Sequence, residues 1–252
     1  MRPTALVTGA ARRVGRAIAL ELASKGFDVC VHYRGSRAEA QDVVEAARAL
    51  GSDAWSAQAD LGTREGVVSL VRAVQARWPA LNVLVNNASA FSPMRFEDID
   101  DDALQAMLQI NLLAPMALSR DLLPQLRAAD GARVGAPDGQ HGVVIHLCDI
   151  GAERPVRGYA HYSVSKAGLV MLVKAMAVEL APAVRTVGIS PGQVAWPEDY
   201  DESLRETLRR RIPMNRAGTP ADVARLCLHV AVEGHYLNGV VIPVDGGLAC
   251  RY

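Results

Sequence analysis

The stretch that decides the fold runs Ala5-Leu6-Val7-Thr8-Gly9-Ala10-Ala11-Arg12-Arg13-Val14-Gly15. A short apolar run breaks at Thr8-Gly9, and apolar residues resume at Val14, Ile18 and Leu22 with helical spacing. This reads as a buried strand, a tight turn and a helix that opens directly behind the glycine. Glycine lets the backbone approach a ligand closely, and the free amides and dipole of a helix N-terminus suit a pyrophosphate. A ligand-free strand-to-helix turn would carry the same two glycines, so the rest of the chain has to decide.

Further apolar runs lie at Val29-Val31, Val83-Val85, Val143-Leu147, Val187-Ile189 and Val240-Val244, and a weaker one around Trp55-Gln58, making seven strands with the first. Helical patterns separate them at Val14-Ser24, Ala38-Leu50, Thr63-Trp78, Asp101-Ala129 with an internal Pro115, Tyr162-Leu180, Ser203-Arg211 and Pro220-Val232. Short buried strands alternating with helices predict an α/β fold, a single doubly wound (Rossmann) domain over residues 1–252 with a seven-stranded parallel sheet. The segment Asp130-His141 reads as a solvated insertion. The excursion at about 191–216, which carries Trp196, leaves the carboxyl end of a strand, where such sheets bind ligands. It reads as a substrate cover or as a structural loop.

The 27 basic and 27 acidic residues cancel, which gives no electrostatic footprint for nucleic acid. The first apolar run is too short for a signal core or membrane span. The cysteines Cys30, Cys148, Cys227 and Cys250 form no CxxC pair, and the six histidines show no metal-ligand spacing. A soluble cytoplasmic protein without metal is the expectation.

At the end of the second strand, His32-Tyr33-Arg34-Gly35-Ser36-Arg37 offers arginine and serine where a carboxylate would bind the ribose of NAD. A carboxylate repels a 2′-phosphate and these groups hydrogen-bond it, so NADPH is the expected cofactor, with Arg34 or Arg37 on the phosphate. Asp60-Leu61 and Asn87-Ala88-Ser89 follow the third and fourth strands, placed for an adenine amino group and a flat ring. Phe91 stands in a polar loop and reads as a stacking platform for a planar ligand or as a core filler. Asp149, Tyr162 and Lys166 form the decisive set, with Asn111 on an earlier helix. A spacing of four puts Tyr162 and Lys166 on one helix face, where an ammonium is expected to lower the phenol pKa and make it a usable acid. Only three of the basic residues are lysines, and a compact ammonium shared by a phenol and a ribose is a task arginine performs poorly.

Together, the glycine turn, Asn86-Asn87-Ala88-Ser89, Asn111, Tyr162-x-x-x-Lys166, Pro191-Gly192 and Val244-Asp245-Gly246-Gly247 resemble the short-chain dehydrogenase/reductases over essentially the whole chain. Commoner members have glycine at Arg13 and serine at Asp149; Arg13, the His32-Ser36 segment, Phe91 and Asp149 resemble the pteridine reductase branch. One departure is that the usual arginine of the second-strand motif stands one position early, at Arg34.

This resemblance implies a pterin substrate held between the nicotinamide and Phe91. Gly9, Arg12, Arg13, Val14, His32, Tyr33, Arg34, Ser36, Asp60, Leu61, Asn87, Ala88, Ser89, Pro191 and Gly192 would hold the cofactor. Arg13, Ser89, Phe91, Asp149, Tyr162 and Trp196 would hold the substrate. Tyr162 and Asp149 would handle protons, Lys166 would hold the ribose, and Asn111 would position a relay water. A homotetramer is expected through the two long helices, with Arg251 reaching a neighbouring site. A ketone or 3-oxoacyl reductase shares every cofactor motif, and a noncatalytic NADP(H)-binding regulator is the alternative outside enzymes.

Overall fold

The computed structural model describes residues 2–194 and 201–250. Strands β1 (Thr4–Val7), β2 (Asp28–Tyr33), β3 (Trp55–Gln58), β4 (Val83–Asn86), β5 (Gly142–Leu147), β6 (Val184–Pro191) and β7 (Val241–Val244) form one sheet in the order β3-β2-β1-β4-β5-β6-β7. Every pairing is parallel. The central strands β4, β5 and β6 are buried at every position, which is why they read as continuous apolar runs and not as alternating ones.

Helices α1 (Arg13–Ser24), α2 (Arg37–Ala49) and the late helix Pro220–Val232 cover one face, packing Ile18, Leu22 and Val43 on Val7, Val31 and Val85. Helix α3 (Arg64–Arg77) covers the other, with Leu70 and Val74 on Leu6 and Leu84. The segment expected as one helix at Asp101-Ala129 is instead α4 (Asp101–Leu108), a π-helical turn at Gln109–Leu113, α5 (Ala114–Asp121) and α6 (Leu123–Arg127). Pro115 and Pro124 have no N–H to return to the preceding turn, so the regular ladder cannot run through either. Helix α7 (Ala160–Leu180) lies beside α4 and the π turn, α8 (Glu202–Arg209) belongs to the excursion after β6, and α9 (Pro220–Val232) opens on a Thr219–Asp222 capping box.

Helix α7 is apolar nearly all round. Its inner side is buried, yet Val164, Met171 and Val178 are 59%, 61% and 83% exposed at seven-residue intervals, with Met116 of α5 also exposed. The strand order reverses between β1 and β4, so the crevice beyond their carboxyl ends is where this topology places a ligand. Among the described residues no helix is long and apolar enough to cross a membrane, and no cluster suits a metal ion.

Candidate active site

Beyond β1 the chain turns through Gly9 at φ +62°. A Cβ there would lie 3.0 Å from Ala88 Cα, and one on Gly15 would lie 2.3 Å from the Gly9 carbonyl oxygen. The turn is locked to the loop after β4. Asn87 Nδ2 donates to the Thr8 and Gly9 carbonyls at 2.8 and 3.1 Å, and Thr8 Oγ1 accepts from the Asn87 and Ala88 amides at 2.9 and 3.0 Å.

Beneath the turn, His32 Nδ1 accepts from the Gly9 amide at 3.0 Å and Nε2 faces the Ala59 carbonyl at 3.2 Å. Burial pulls its pKa down to about 4, so the ring stays neutral. With both nitrogens committed to main chain, His32 shapes the turn and has no donor left for a phosphate. Arg13 sits at φ +50°, a conformation that costs a non-glycine residue about 1–2 kcal/mol and comes without strain to the glycine of commoner members.

A cavity of about 600 Å³ opens over this turn. Gly9, Arg12, Arg13, Val14, His32, Tyr33, Arg34, Ser36, Asp60, Leu61, Asn87, Ala88 and Ser89 all line it, with Ile110 and Val194, which the sequence had not marked. Arg37 is not in the described lining, so of the two arginines only Arg34 faces the cavity, and no described carboxylate pairs with it. The Arg12 guanidinium is paired with Glu39 at the start of α2. Asp60 Oδ1 takes the Gly62 amide at 2.9 Å. Pro191 and Gly192 lie at the end of β6 outside the described lining, and Trp196 and Arg251 fall outside the described residues. A glycine turn that a Cβ on Gly15 would clash with, lined by Arg34 and Ser36, fits a dinucleotide.

The second cluster stands beside this cavity, joined to it by Ser89 and Ala90. Asn111, in the π turn and 1% exposed, accepts from the Ala90 amide at 2.8 Å and from Ser89 Oγ at 3.0 Å, and donates to the Ala90 carbonyl and to Ser165 Oγ at 3.0 Å each. It thus ties the loop after β4 to α7.

Asp149 leaves β5 and accepts with both oxygens, Oδ1 from the Gly151 amide at 2.6 Å and Oδ2 from the Tyr162 hydroxyl at 2.8 Å. Lys166, fully buried, donates from Nζ to the Leu147 carbonyl at 2.8 Å and stands 5.7 Å from the Tyr162 ring centre. The Tyr162 pKa moves opposite to the downward shift expected from Lys166. Burial, then the charge and hydrogen bond of Asp149, hold the phenol well above its ordinary value. Burial also lowers the Lys166 pKa.

Phe91 is no core filler: it is 57% exposed. Its ring stacks on Tyr159, centroids 4.4 Å apart and planes 13° apart, and meets the Tyr162 ring edge-on at 4.8 Å. Tyr159 was missed by sequence reasoning, although an aromatic three residues before Tyr162 is the signal that could have found it.

A doubly wound sheet with a glycine turn at its switch point and a buried tyrosine–lysine pair defines an oxidoreductase. The chain belongs to the short-chain dehydrogenase/reductase superfamily, whose members use NAD(P)(H), and residues 9–249 match the family described as Enoyl-(Acyl carrier protein) reductase. It is 32% identical over 253 residues to the 3-oxoacyl-[acyl-carrier-protein] reductase FabG of Staphylococcus aureus, covering 98% of each chain. It is 30% identical over 283 residues to Pteridine reductase 1 of Leishmania tarentolae, covering 97% of this chain and 96% of that one. To the Versicolorin reductase stcU of Emericella nidulans it is 29% identical over 259 residues, with 96% and 94% covered. Similarity alone therefore leaves the branch open between acyl and pteridine reductases.

Proposed function

We propose that this reductase uses NADPH to convert a dihydropteridine to its tetrahydro form. The observation that carries the reading is the 2.8 Å hydrogen bond from Tyr162 to Asp149. Reduction of a ketone builds negative charge on an oxygen beside the tyrosine, and a carboxylate in that place opposes it. Reduction of a ring C=N instead leaves an electron pair on nitrogen, which takes a proton, and the surrounding ring N–H and amino groups are donors that a carboxylate accepts.

When bound, the nicotinamide supplies the hydride. The chain's own residues do the rest. Tyr162, kept protonated by burial and by Asp149, gives its proton to the ring nitrogen; the buried Lys166 ammonium offsets the phenolate that remains, and solvent returns the proton. Asn111 holds the loop that carries Ser89 and Phe91 against α7, and Phe91 presents a flat surface for the ring. Arg34 and Ser36 hold the 2′-phosphate, and Arg13 turns toward substrate and cofactor phosphate from its left-handed position. The exposed apolar stripe of α7 assembles the protein as a homotetramer.

The test is to follow nicotinamide absorbance with NADPH and a panel of dihydropterins, dihydrofolate, ketones and 3-oxoacyl thioesters. Turnover of dihydropterins with little on the oxo compounds supports the reading. Efficient turnover of 3-oxoacyl thioesters alone would instead place the chain with its acyl reductase relatives, and no NADPH oxidation with any of them would favour a binding protein.

A further inference from the structure

Phe91, Tyr159 and Tyr162 form a three-ring cluster whose geometry goes beyond the catalytic assignment. The centroid separations are 4.4 Å for Phe91–Tyr159, 4.8 Å for Phe91–Tyr162 and 6.4 Å for Tyr159–Tyr162, which set the angle at Phe91 close to a right angle. Tyr159 therefore covers one face of Phe91 and Tyr162 touches its edge. A ring with one face covered and one edge in contact that is still 57% exposed has its second face open. The loops beneath the two stacked rings are joined as well, since the Met94 amide donates to the Gly158 carbonyl at 2.8 Å.

We propose that Tyr159 is a positioning residue that backs Phe91, fixing the open face of that ring for a planar heteroaromatic substrate beside the Tyr162 hydroxyl. An unsupported phenylalanine on an exposed loop samples several rotamers, and each loses on binding the freedom it had before. Stacking on Tyr159 removes that freedom in advance, so the chain selects flat bicyclic rings over flexible aliphatic oxo compounds of similar polarity. The assignment of the substrate as a dihydropterin rests on the function proposed above, whereas the backing of Phe91 does not.

The two are separable because the chain has only three phenylalanines, Phe27, Phe91 and Phe96. Phe27 is 1% and Phe96 79% exposed, so ring-labelled phenylalanine gives resolvable environments. The Tyr159 side chain makes no capping hydrogen bond to α7, so Tyr159→Leu removes the ring without removing a cap. In that variant the Phe91 ring signals should leave their upfield, stacked position and approach those of Phe96, while Tyr159→Phe keeps them.

With dihydropterin and NADPH, Tyr159→Leu should raise KM about two- to tenfold, the size of one aromatic contact, with kcat within about twofold and NADPH affinity unchanged; Tyr159→Phe should restore KM. Phe91 signals that do not move in Tyr159→Leu, or a KM that falls, would overturn the proposal, the latter by showing that Tyr159 obstructs the substrate face. Ring signals that shift as expected in a protein that ignores dihydropterins would sustain the backing of Phe91 and overturn only the functional reading.

Discussion

Replacing Asp149 by serine removes a carboxylate that accepts two hydrogen bonds, from the Gly151 amide at 2.6 Å and the Tyr162 hydroxyl at 2.8 Å, and leaves the fold around it in place. A serine can retain the first through its own oxygen but cannot hold the phenol as a charged acceptor does. In the proposed complex the carboxylate accepts from a ring N–H or amino group of the substrate, and losing a hydrogen bond to a charged group, about 1.5–3 kcal/mol, should lower kcat/KM for a dihydropterin roughly 10- to 150-fold. The pH profile gives an independent sign.

Reduction needs the phenol protonated, so activity is lost as pH rises through the Tyr162 pKa. In the native protein, burial first and Asp149 second hold that pKa well above its ordinary value, and the alkaline limb lies beyond the usual assay range. Removing Asp149 leaves burial and the smaller effect of Cys148, so the limb should move to lower pH and come nearer to the phenol's ordinary value of about 10. Steady-state nicotinamide absorbance from neutral pH upward reads both effects, and any trace activity on ketones should hold or improve as a neutral donor replaces the charge. Dihydropterin turnover that is unchanged, with the alkaline limb where it was, would refute the role given to Asp149. Native turnover of ketones that disappears in Asp149→Ser would refute the branch.

Arg34 is the one of the two candidate arginines that faces the cavity, and Arg34→Ala should reduce the NADPH-over-NADH ratio of kcat/KM by about tenfold or more, whereas Arg37→Ala should leave it near its native value. An exposed apolar stripe on α7 predicts self-association, and Met171→Glu with Val178→Glu should shift the particle to a smaller mass in light scattering at micromolar concentration; a native monomer would sink this reading. The neutral, 2% exposed His32 implies a loss of stability in acid. Its folded pKa, near 4, lies below the ordinary 6.5, so the unfolded chain binds the proton first and stability falls as pH drops through this window. The loss should reach about 3 kcal/mol at its lower end, and thermal unfolding of native protein against His32→Gln, from pH 7 down to 4, should show a shallower slope in the variant.

By itself the sequence determined the strands and most of the helices, because a parallel sheet covered on both faces writes its central strands as uninterrupted apolar runs and its helices as periodic ones, while the edge strand at Trp55–Gln58 shows only weakly. It also placed the glycine turn, Asn87, Asn111, Asp149, Tyr162 and Lys166, since each stands at a strand end or on a helix face whose position follows from local spacing. Tertiary structure decided what these residues do to one another. Spacing alone leads one to expect that Lys166 acidifies Tyr162, but the sign of that shift is set by burial and by a carboxylate thirteen residues away in the chain, which both raise it. Arg34 and Arg37 are equivalent in a string of letters, and only the fold puts Arg34 in the cavity lining while Arg37 opens α2. The helix at Asp101-Ala129 resolved into pieces where two prolines interrupt the ladder, and the π turn that results is what brings the Asn111 amide to Ala90 and Ser165. Tyr159 had no signal beyond its place one turn before Tyr162; stacking on Phe91 is a contact between separate loops, and the geometry of such a contact is fixed by the fold that joins them and not by either segment alone.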